Sequence, residues 1–442
     1  MQTLIGPATV ITCDTHGRVL QEGGVVVEGS KIAAVDSFRL LQERYPEAAW
    51  HDTVNRTVMP GLINAHAHTY GLFARGISLK DPPPETFRQV LERLWWRLDK
   101  ALDLRGVHLS ALLSGIAALR AGCTTIIDHH ASPNAIDGSL DEVAGAMEQL
   151  GLRACLCYEV SDRDGNERAA QGIAENVRFA RQVAGNGGRL AAKFGLHASF
   201  TLTTETLKAC RRAEEELGVG FHIHCAEGPE DGEDARINYG EGVVSRLLRR
   251  GILGPESILA HCVHVSDTEI ELLAASHTFV SHQPHSNMGN AVGRAPILRM
   301  REHGVPVALG TDGYTWDLLE SMRAAAVLHS HATGAPGAGV GDMAHVLLRG
   351  NAALASRVFG RKVGVLEPGA VADLIALDYF PPTPLHGLNL PWHLQFGVTA
   401  PQVQSVWVDG RLVLDDRALP GVDEEQVAHE ARAVAAATWE RF

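Results

Sequence analysis

The stretch Val58–Gly76, "VMPGLINAHAHTYGLFARG", marks where the chain changes texture. Before it, residues 7–36 run as short alternating segments, "ATVITCD", "VLQEGGVVVEG" and "KIAAVDS", separated by Gly and polar residues. That pattern predicts hairpins in an antiparallel sheet. From Val58 onward, short apolar runs alternate with longer helical patterns. The candidate strands are "TVMPGLINAH", "CTTIID", "RACLCYE", "RLAAKFGLH", "GFHIH", "SILAHC", "HTFVSH" and "VPVALGTD", eight in all. Segments between them, such as "DEVAGAMEQLG" and "TTETLKACRRAEEELG", have helical apolar spacing and end in Gly. Strands alternating with helices predict a parallel sheet. Eight such units over about 300 residues fit a (β/α)8 TIM barrel better than an open doubly wound sheet. No G-x-G-x-x-G follows an early strand and no G-x-x-x-x-G-K-[ST] occurs, which counts against a nucleotide-binding sheet.

After about residue 362 the strand texture returns in "KVGVLEPGAVADLIALDY" and "VQSVWVDGRLVLDD". The expected architecture is therefore α/β. A barrel over residues 57–362 is inserted into a small β-sandwich domain built from both chain ends, 1–56 plus 363–420. Residues 421–442, "DEEQVAHEARAVAAATWERF" among them, read as an amphipathic terminal helix.

Bulk composition narrows the function classes. The 442 residues are 45% hydrophobic and 21% charged, an ordinary globular balance with ample material for a core. A net charge of −13, from 52 acidic and 39 basic residues, argues against a nucleic-acid partner, which needs clustered Lys and Arg. "MQTLIGPATVITCD" has no basic region ahead of a long apolar core, so a signal peptide is not expected. No run is long enough for a membrane span. The seven cysteines include no C-x-x-C pair, and their irregular spacing fits reduced thiols in a cytoplasm.

In a barrel, chemistry sits where strands end. His66 and His68 close strand one, and their i, i+2 spacing puts both side chains on one face. By itself the pair reads either as half a metal site or as two solvated loop histidines. Strand five ends "FHIHCAEG", with His222 and His224 on one face and Glu227 three residues on. Strand six ends at His261 and strand eight at Asp312. Imidazoles and a carboxylate at successive strand ends make a ligand set for a borderline divalent ion such as Zn2+ or Fe2+.

"PGLINAHAH", "HIHCAEG", "LAHC", "SHQPHSNMGN" and "LGTDG", in this order, resemble the amidohydrolase superfamily. They look most like its cytosine/guanine deaminase and triazine chlorohydrolase branch. The resemblance spans nearly the whole chain, including "VGVLEPGAVADLIALD". Within the branch, "LWWRLDKALD", "CTTIIDHHASP" and "NGGRLAAKFGLHASFTLT" resemble the aminohydrolases called SsnA, and share features with 8-oxoguanine deaminases.

The resemblance implies that His66, His68, His224 and Asp312 bind one divalent ion, Zn2+ before Fe2+. It implies that Glu227 shuttles protons and that His261 orients or polarises the attacking water. A divalent ion lowers the pKa of its water from 15.7 to about 7, so hydroxide is available at neutral pH. The expected reaction is attack of that hydroxide on the C–NH2 carbon of a purine, pyrimidine or related heterocycle, with release of ammonia. A chlorohydrolase would share the site, but chloride leaves without a proton, so Glu227 favours the amine. A binuclear cyclic amidase needs a Lys at the end of strand four, and Lys193 lies about 13 Å deeper than His197 by strand rise. Dimerisation is common among look-alikes; no residue here demonstrates it.

Further candidates surround this set. His197 resembles the substrate-contacting His of "PHAPFT"-like segments. Of His129 and His130, alternation lets only one face inward. Glu159 reads either as a contact to a heterocycle N–H or as a partner for Arg163. Asn287 and His282 support the site or touch substrate. His285 stands where the branch often has an uncharged residue, which bears on pocket polarity. Arg75 meets either a substrate carboxylate or carbonyl, or an acidic loop residue. His222 and Cys225 read as core. Prolines 82–84 are expected to start a helix, and adjacency sends Trp95 and Trp96 to different sides of it, one of them reading either as part of a lid over the pocket or as a buried aromatic at a helix or subunit contact.

Overall fold

The computed structural model describes residues 2–185 and 187–442. Met1, in the N-terminal β region, and Asn186, first residue of the "NGGRLAAKFGLHASFTLT" stretch, lie outside the described residues.

Five strands lead the chain: β1 (Gln2–Ile11), β2 (Val19–Glu28), β3 (Lys31–Ser37), β4 (Ala49–Asp52) and β5 (Thr57–Pro60). Nine more alternate with helices: β6 (Leu62–Ala67), β7 (Cys123–Asp128), β8 (Arg153–Leu156), β9 (Leu190–Ala192), β10 (Phe194–Ala198), β11 (Phe221–Cys225), β12 (Ile258–His261), β13 (Phe279–His282) and β14 (Val307–Leu309). Three close the chain: β15 (Leu374–Leu377), β16 (Val403–Val408) and β17 (Arg411–Leu414), before a helix over Glu424–Arg441.

The architecture is a TIM-barrel-like α/β fold. All eight expected core strands form, and two of them are divided. "TVMPGLINAH" breaks at Gly61, so that β5 pairs with β1 and β15 while β6 pairs with β7. "RLAAKFGLH" breaks at Lys193, so that β9 pairs with β8 and β10 with β11. The result is two parallel sheets, β6-β7-β8-β9 and β10-β11-β12-β13-β14.

Parallel bridges lie at both junctions between these sheets: Val160 with Leu196, and Ala67 with Asp312. A buried asparagine stitches each junction. The Asn176 carbonyl accepts the N–H groups of Tyr158 at 2.9 Å and Gly195 at 3.1 Å, while its amide donates to the Tyr158 carbonyl at 2.8 Å. Asn351 accepts Leu309 N–H at 2.7 Å and donates to the carbonyls of Leu309 and Ile63. Backbone groups that a continuous ladder would pair are thus satisfied by side chains.

Strands from both chain ends share one eight-stranded sheet, in the order β17-β16-β15-β5-β1-β2-β3, with β4 on β1. The hairpin pairs are antiparallel as expected, but β4 and β5 lie parallel to β1. Arg153 ties this sheet to the parallel core. It is fully buried, and its guanidinium donates to Asp373 at 2.9 Å and Asp409 at 2.7 Å. No single helix among the described residues is long and apolar enough to cross a membrane.

Candidate active site

Buried imidazoles converge at the strand ends. His66 and His68 lie on and just past the end of β6, His224 on β11, and His261 closes β12. Asp312 follows β14 and reaches them because Gly310 lets the two backbones touch. A Cβ at Gly310 would come within 2.7 Å of the His66 carbonyl oxygen. Asp312 N–H then donates to that same carbonyl at 3.0 Å.

Three of these residues sit in, or flank, strained backbone. His261 and Asp312 have φ of 73° and 58°, and Ala226, just before Glu227, has φ of 48°. Left-handed backbone in non-glycine residues costs roughly 1–3 kcal/mol each and persists where surrounding bonds over-determine it. Here those bonds aim side chains. Cys262 N–H donates to the Cys225 carbonyl at 2.9 Å, and His261 N–H to Gln283 Oε1 at 2.8 Å.

The imidazoles share one orientation rule. Each is held through Nδ1, which leaves Nε2 toward a common point. His68 Nδ1–H donates to the His129 carbonyl at 2.6 Å, and His224 Nδ1–H to the His197 carbonyl at 2.9 Å. A carbonyl oxygen only accepts, so these Nδ1 atoms carry the protons. His66 Nδ1 meets His222 Nε2 at 2.9 Å, and His261 Nδ1 meets Asn287 Oδ1 at 2.8 Å. The Nε2 atoms of His66 and His261 are buried and without a partner. Those of His68 and His224 face each other at 3.1 Å. Asp312 Oδ1 lies 3.3 Å from His68 Nε2, and its Oδ2 lies 3.6 Å from His261 Nε2.

This donor set fits a divalent ion. Ligand atoms of His66, His68, His129 and His224 fall within 4.8 Å of one another, as do those of His66, His261 and Asp312. Lone pairs that converge in a buried space without hydrogen-bond partners call for a cation, and outer hydrogen bonds that fix each tautomer are the usual support. Burial, then mutual repulsion, holds His66 and His224 well below the ordinary imidazole range. They are therefore neutral, as ligands must be. Burial pushes Asp312 up, but His68 and His261 outweigh it and keep the carboxylate ionised.

Glu227 lies beside this cluster, with Oε2 3.4 Å from His261 Nε2. Burial, reinforced by the Asp312 charge, raises its carboxyl well above the usual range. Glu159 comes in from beyond β8. Its Oε1 is 3.4 Å from His68 Nδ1 and from His129 Nδ1, and its Oε2 is 3.8 Å from His197 Nε2. Burial, opposed by His68 and Arg163, pushes it up to about 8. The expected alternative, a bond to Arg163, does not form: that guanidinium pairs with Asp99 and Asp164 instead.

A cavity of about 860 Å3, counting its open mouth, stands over the cluster. His68, His197, His224, Glu159, Glu227 and Asp312 face it from the strand ends. Aromatic side chains complete the lining: Phe87, Trp95, Trp96, Phe200 and Tyr314.

Several expected positions move. Arg75 is solvent-exposed and outside the cavity lining, because the 3-10 turn Thr69–Ala74 carries it outward. His129 faces inward, beside His66, His68 and His224 and stacked on His222 at 4.4 Å, and does not line the cavity. His130 points away to Ser132 Oγ at 3.0 Å, as alternation requires of one member of the pair. Asn287 also misses the cavity and instead orients His261. His282 is buried beside His329, and His285 bonds Ser321 Oγ at 3.2 Å, so neither sets the pocket's polarity. His222 and Cys225 are core, as expected.

The tryptophans depart most from expectation. Both line the cavity. The helix begins not at the prolines but at Phe87, capped by the Thr86 side chain, and Leu91–Trp95 is a π-helical turn. That wider turn alters the angular step, so the adjacent rings flank one opening. Trp95 covers Gly71 and Gly313, while Trp96 stands 6.1 Å from the His197 ring with Arg163 over its face at 5.3 Å. Glu230, Asp99 and Phe200 also line the site without having been singled out from sequence. Only a helical period marks the Phe87–Trp96 segment in the sequence, and nothing local distinguishes Glu230 from a solvated helix-start acid.

Comparison with known proteins agrees with this geometry. The amidohydrolase family profile matches residues 57–413. A 5-methylthioadenosine/S-adenosylhomocysteine deaminase of Pelotomaculum thermopropionicum is 32% identical, over 97% of each chain. An adenosine deaminase from Xanthomonas campestris with bound zinc superposes with a TM-score of 0.88, at 23% identity, over 99% of this chain and 98% of that one. The atrazine chlorohydrolase TrzN from Arthrobacter aurescens TC1, complexed with zinc, superposes at 0.83, with 23% identity over 98% of this chain and 100% of its own. With this match over most of its length, and with residues of metal-ligand type converging at the strand ends, the chain belongs to the amidohydrolase family.

Proposed function

We propose that this protein is a metal-dependent aminohydrolase that removes an exocyclic amine from a purine-type heterocycle, an adenosine-like nucleoside foremost, releasing ammonia. The carrying observation is the juxtaposition of Glu227 Oε2 and His261 Nε2, 3.4 Å apart, beside the unpartnered imidazole nitrogens. The deaminase relative supports the reaction class and the adenosine-like substrate.

His66, His68, His224 and Asp312 are read as holding one divalent ion, Zn2+ first and Fe2+ second. When bound, the ion supplies the Lewis acidity that makes water a nucleophile near neutral pH. His261, held by Asn287, orients that water. Glu227 accepts one proton of the water and passes it to a ring nitrogen as the attacked carbon becomes tetrahedral; the proton left on the added oxygen then moves through Glu227 to the amine as the C=O bond forms and the C–N bond breaks, releasing ammonia. A carboxyl whose pKa is raised by burial suits such two-way transfer. His197 and Glu159 contact the ring edge, and the tryptophans bracket its faces. Asp312 would help hold such an ion and would accept a hydrogen bond from the attacking water.

The two parallel sheets are read as arcs of one closed (β/α)8 barrel over residues 57–362, which the two bridges and the two stitching asparagines support. The end-strand sheet is read as a composite sandwich domain of 1–56 plus 363–420. Its core cluster joins Ile32 and Val35 of β3 with Trp407 of β16, near opposite ends of the sheet order, as a sheet curling over itself would. A binuclear amidase site is disfavoured, since Lys193 donates to the Val219 carbonyl and pairs with Glu256 at 3.6 Å, away from the ligands.

The test is ammonia release by zinc-loaded protein from methylthioadenosine, adenosine, adenine, guanine, 8-oxoguanine and cytosine, with Glu227→Gln as control. Release lost in the control is the expected result. Silence across the panel from metal-replete protein overturns the reading, and chloride release from a chlorinated triazine would then be measured.

A further inference from the structure

The cavity holds more carboxyl groups than the reaction uses. Six carboxylates line it: Asp99, Glu159, Glu227, Glu230, Asp231 and Asp312. Among the described residues Arg88 is the only Lys or Arg in the lining, and its Nε already pairs with Glu92 at 2.7 Å.

Most of these carboxylates are committed. Asp99 pairs with Arg163. Asp231 accepts the backbone N–H groups of Phe200 at 3.1 Å and Ala226 at 2.8 Å. Asp312 and Glu227 serve the reaction. Glu159 and Glu230 remain. The Glu159 side chain is 3% exposed and its Oε1 has no hydrogen-bond partner. It sits among the imidazoles, where the reacting ring must lie.

Glu230 sits elsewhere, at the start of the helix Pro229–Tyr239 and against the Phe87–Val90 segment. Its Oε1 accepts only a long 3.4 Å contact from Arg88 N–H. Its Oε2 is buried without a partner. Gly228 makes room for it: a Cβ there would come within 2.3 Å of that oxygen and 2.7 Å of the Phe87 ring. A buried carboxylate oxygen without a donor is costly unless a ligand supplies one.

We infer that Glu230 receives a hydrogen-bond donor or cationic group carried by the substrate beyond its reacting ring, and that the cavity rejects substrates bearing an anionic substituent there. This rests on the aminohydrolase reading. An anion entering that end of the cavity meets the Glu230 carboxylate, with Arg88 as the one Lys or Arg among the described lining residues and its Nε engaged by Glu92, and such like-charge juxtaposition excludes partners.

The test is equilibrium binding to zinc-loaded Glu227→Gln protein of four adenosines whose 5′ substituent is methylthio, ammonium, carboxylate or phosphate. The methylthio and ammonium compounds should bind at least about 10-fold tighter than the carboxylate and phosphate ones. Adding Glu230→Gln should narrow the ammonium-to-carboxylate gap by about 10-fold. Equal binding of neutral and anionic compounds, an unchanged gap in the double variant, or binding of none of the four overturns the inference. The same compounds are then assayed for ammonia with the unsubstituted enzyme. The expected binding order without ammonia release leaves this inference standing and overturns the aminohydrolase reading.

Discussion

His68 and His224, 156 residues apart in the chain, present their Nε2 atoms to each other at 3.1 Å. Each is fixed from behind by an Nδ1–H bond to a backbone carbonyl, of His129 and of His197. Two imidazole lone pairs facing across that gap repel unless a cation or proton lies between them. The surrounding orphaned nitrogens of His66 and His261 extend the same geometry.

On the proposed reading, metal retention depends on the rings of His66, His68 and His224. His68→Ala should lose bound zinc and activity together, by more than the roughly 10–100-fold typical of losing an outer hydrogen-bond partner. Metal content by elemental analysis, beside far-ultraviolet circular dichroism, checks this. Full zinc occupancy in a folded variant would refute the ligand assignment.

Asn287 bonds His261 Nδ1 at 2.8 Å and does not line the cavity, so it is expected to act through His261 and not on substrate. Asn287→Ala should lower kcat about 10-fold with metal content and KM little changed, because an unanchored imidazole no longer presents Nε2 to Glu227. Asn287→Asp, which retains the acceptor, should recover part of the rate. A rise in KM with unchanged kcat would show a substrate contact instead.

Arg153 joins the two parts of the fold through buried Asp373 and Asp409. Arg153→Met leaves Asp373, 1% exposed, without its countercharge. Loss of about 3–5 kcal/mol is expected, read as a lower urea midpoint. A change below about 1 kcal/mol would mean that water or relaxation compensates the carboxylate.

His329 gives a pH dependence away from the metal cluster. Burial, with Arg294 adding repulsion, lowers its pKa to about 4. Unfolded, it titrates near 6.5, so between about 6.5 and 4 the unfolded chain binds the extra proton. Its stabilising contribution is complete above the unfolded pKa and is lost as pH falls through that window. The slope is at most about 1.4 kcal/mol per pH unit. Denaturant unfolding of His329→Gln should show a shallower acid limb, and an identical limb would exclude His329 as its source.

Much of the site was legible in the chain because strand ends carry their own signal. Apolar runs ending in "HAH", "HIH", "AHC" and "LGTDG" name the converging residues. Orientation was less accessible. His129 or His130 was an open choice until the His68 bond to the His129 carbonyl settled the turn. Arg75 looked close to the metal pair by chain distance, yet a single 3-10 turn moves it to solvent. The tryptophans follow a helical period in the sequence, whereas the π turn that brings both rings to one opening depends on packing over Gly71 and Gly313.

By itself the sequence determined the alternation of strand and helix, the return of β strands after the core, and which strand ends carry residues of metal-ligand type. Those features rest on hydrophobic period and residue chemistry, which are local. Only the tertiary structure decided where strands divide, which tautomer each histidine holds, and which carboxylates lack partners. These depend on hydrogen bonds between residues far apart in sequence. The Asp312 approach to His66 across Gly310 and the unpaired oxygen of Glu230 arise only when those distant backbones meet.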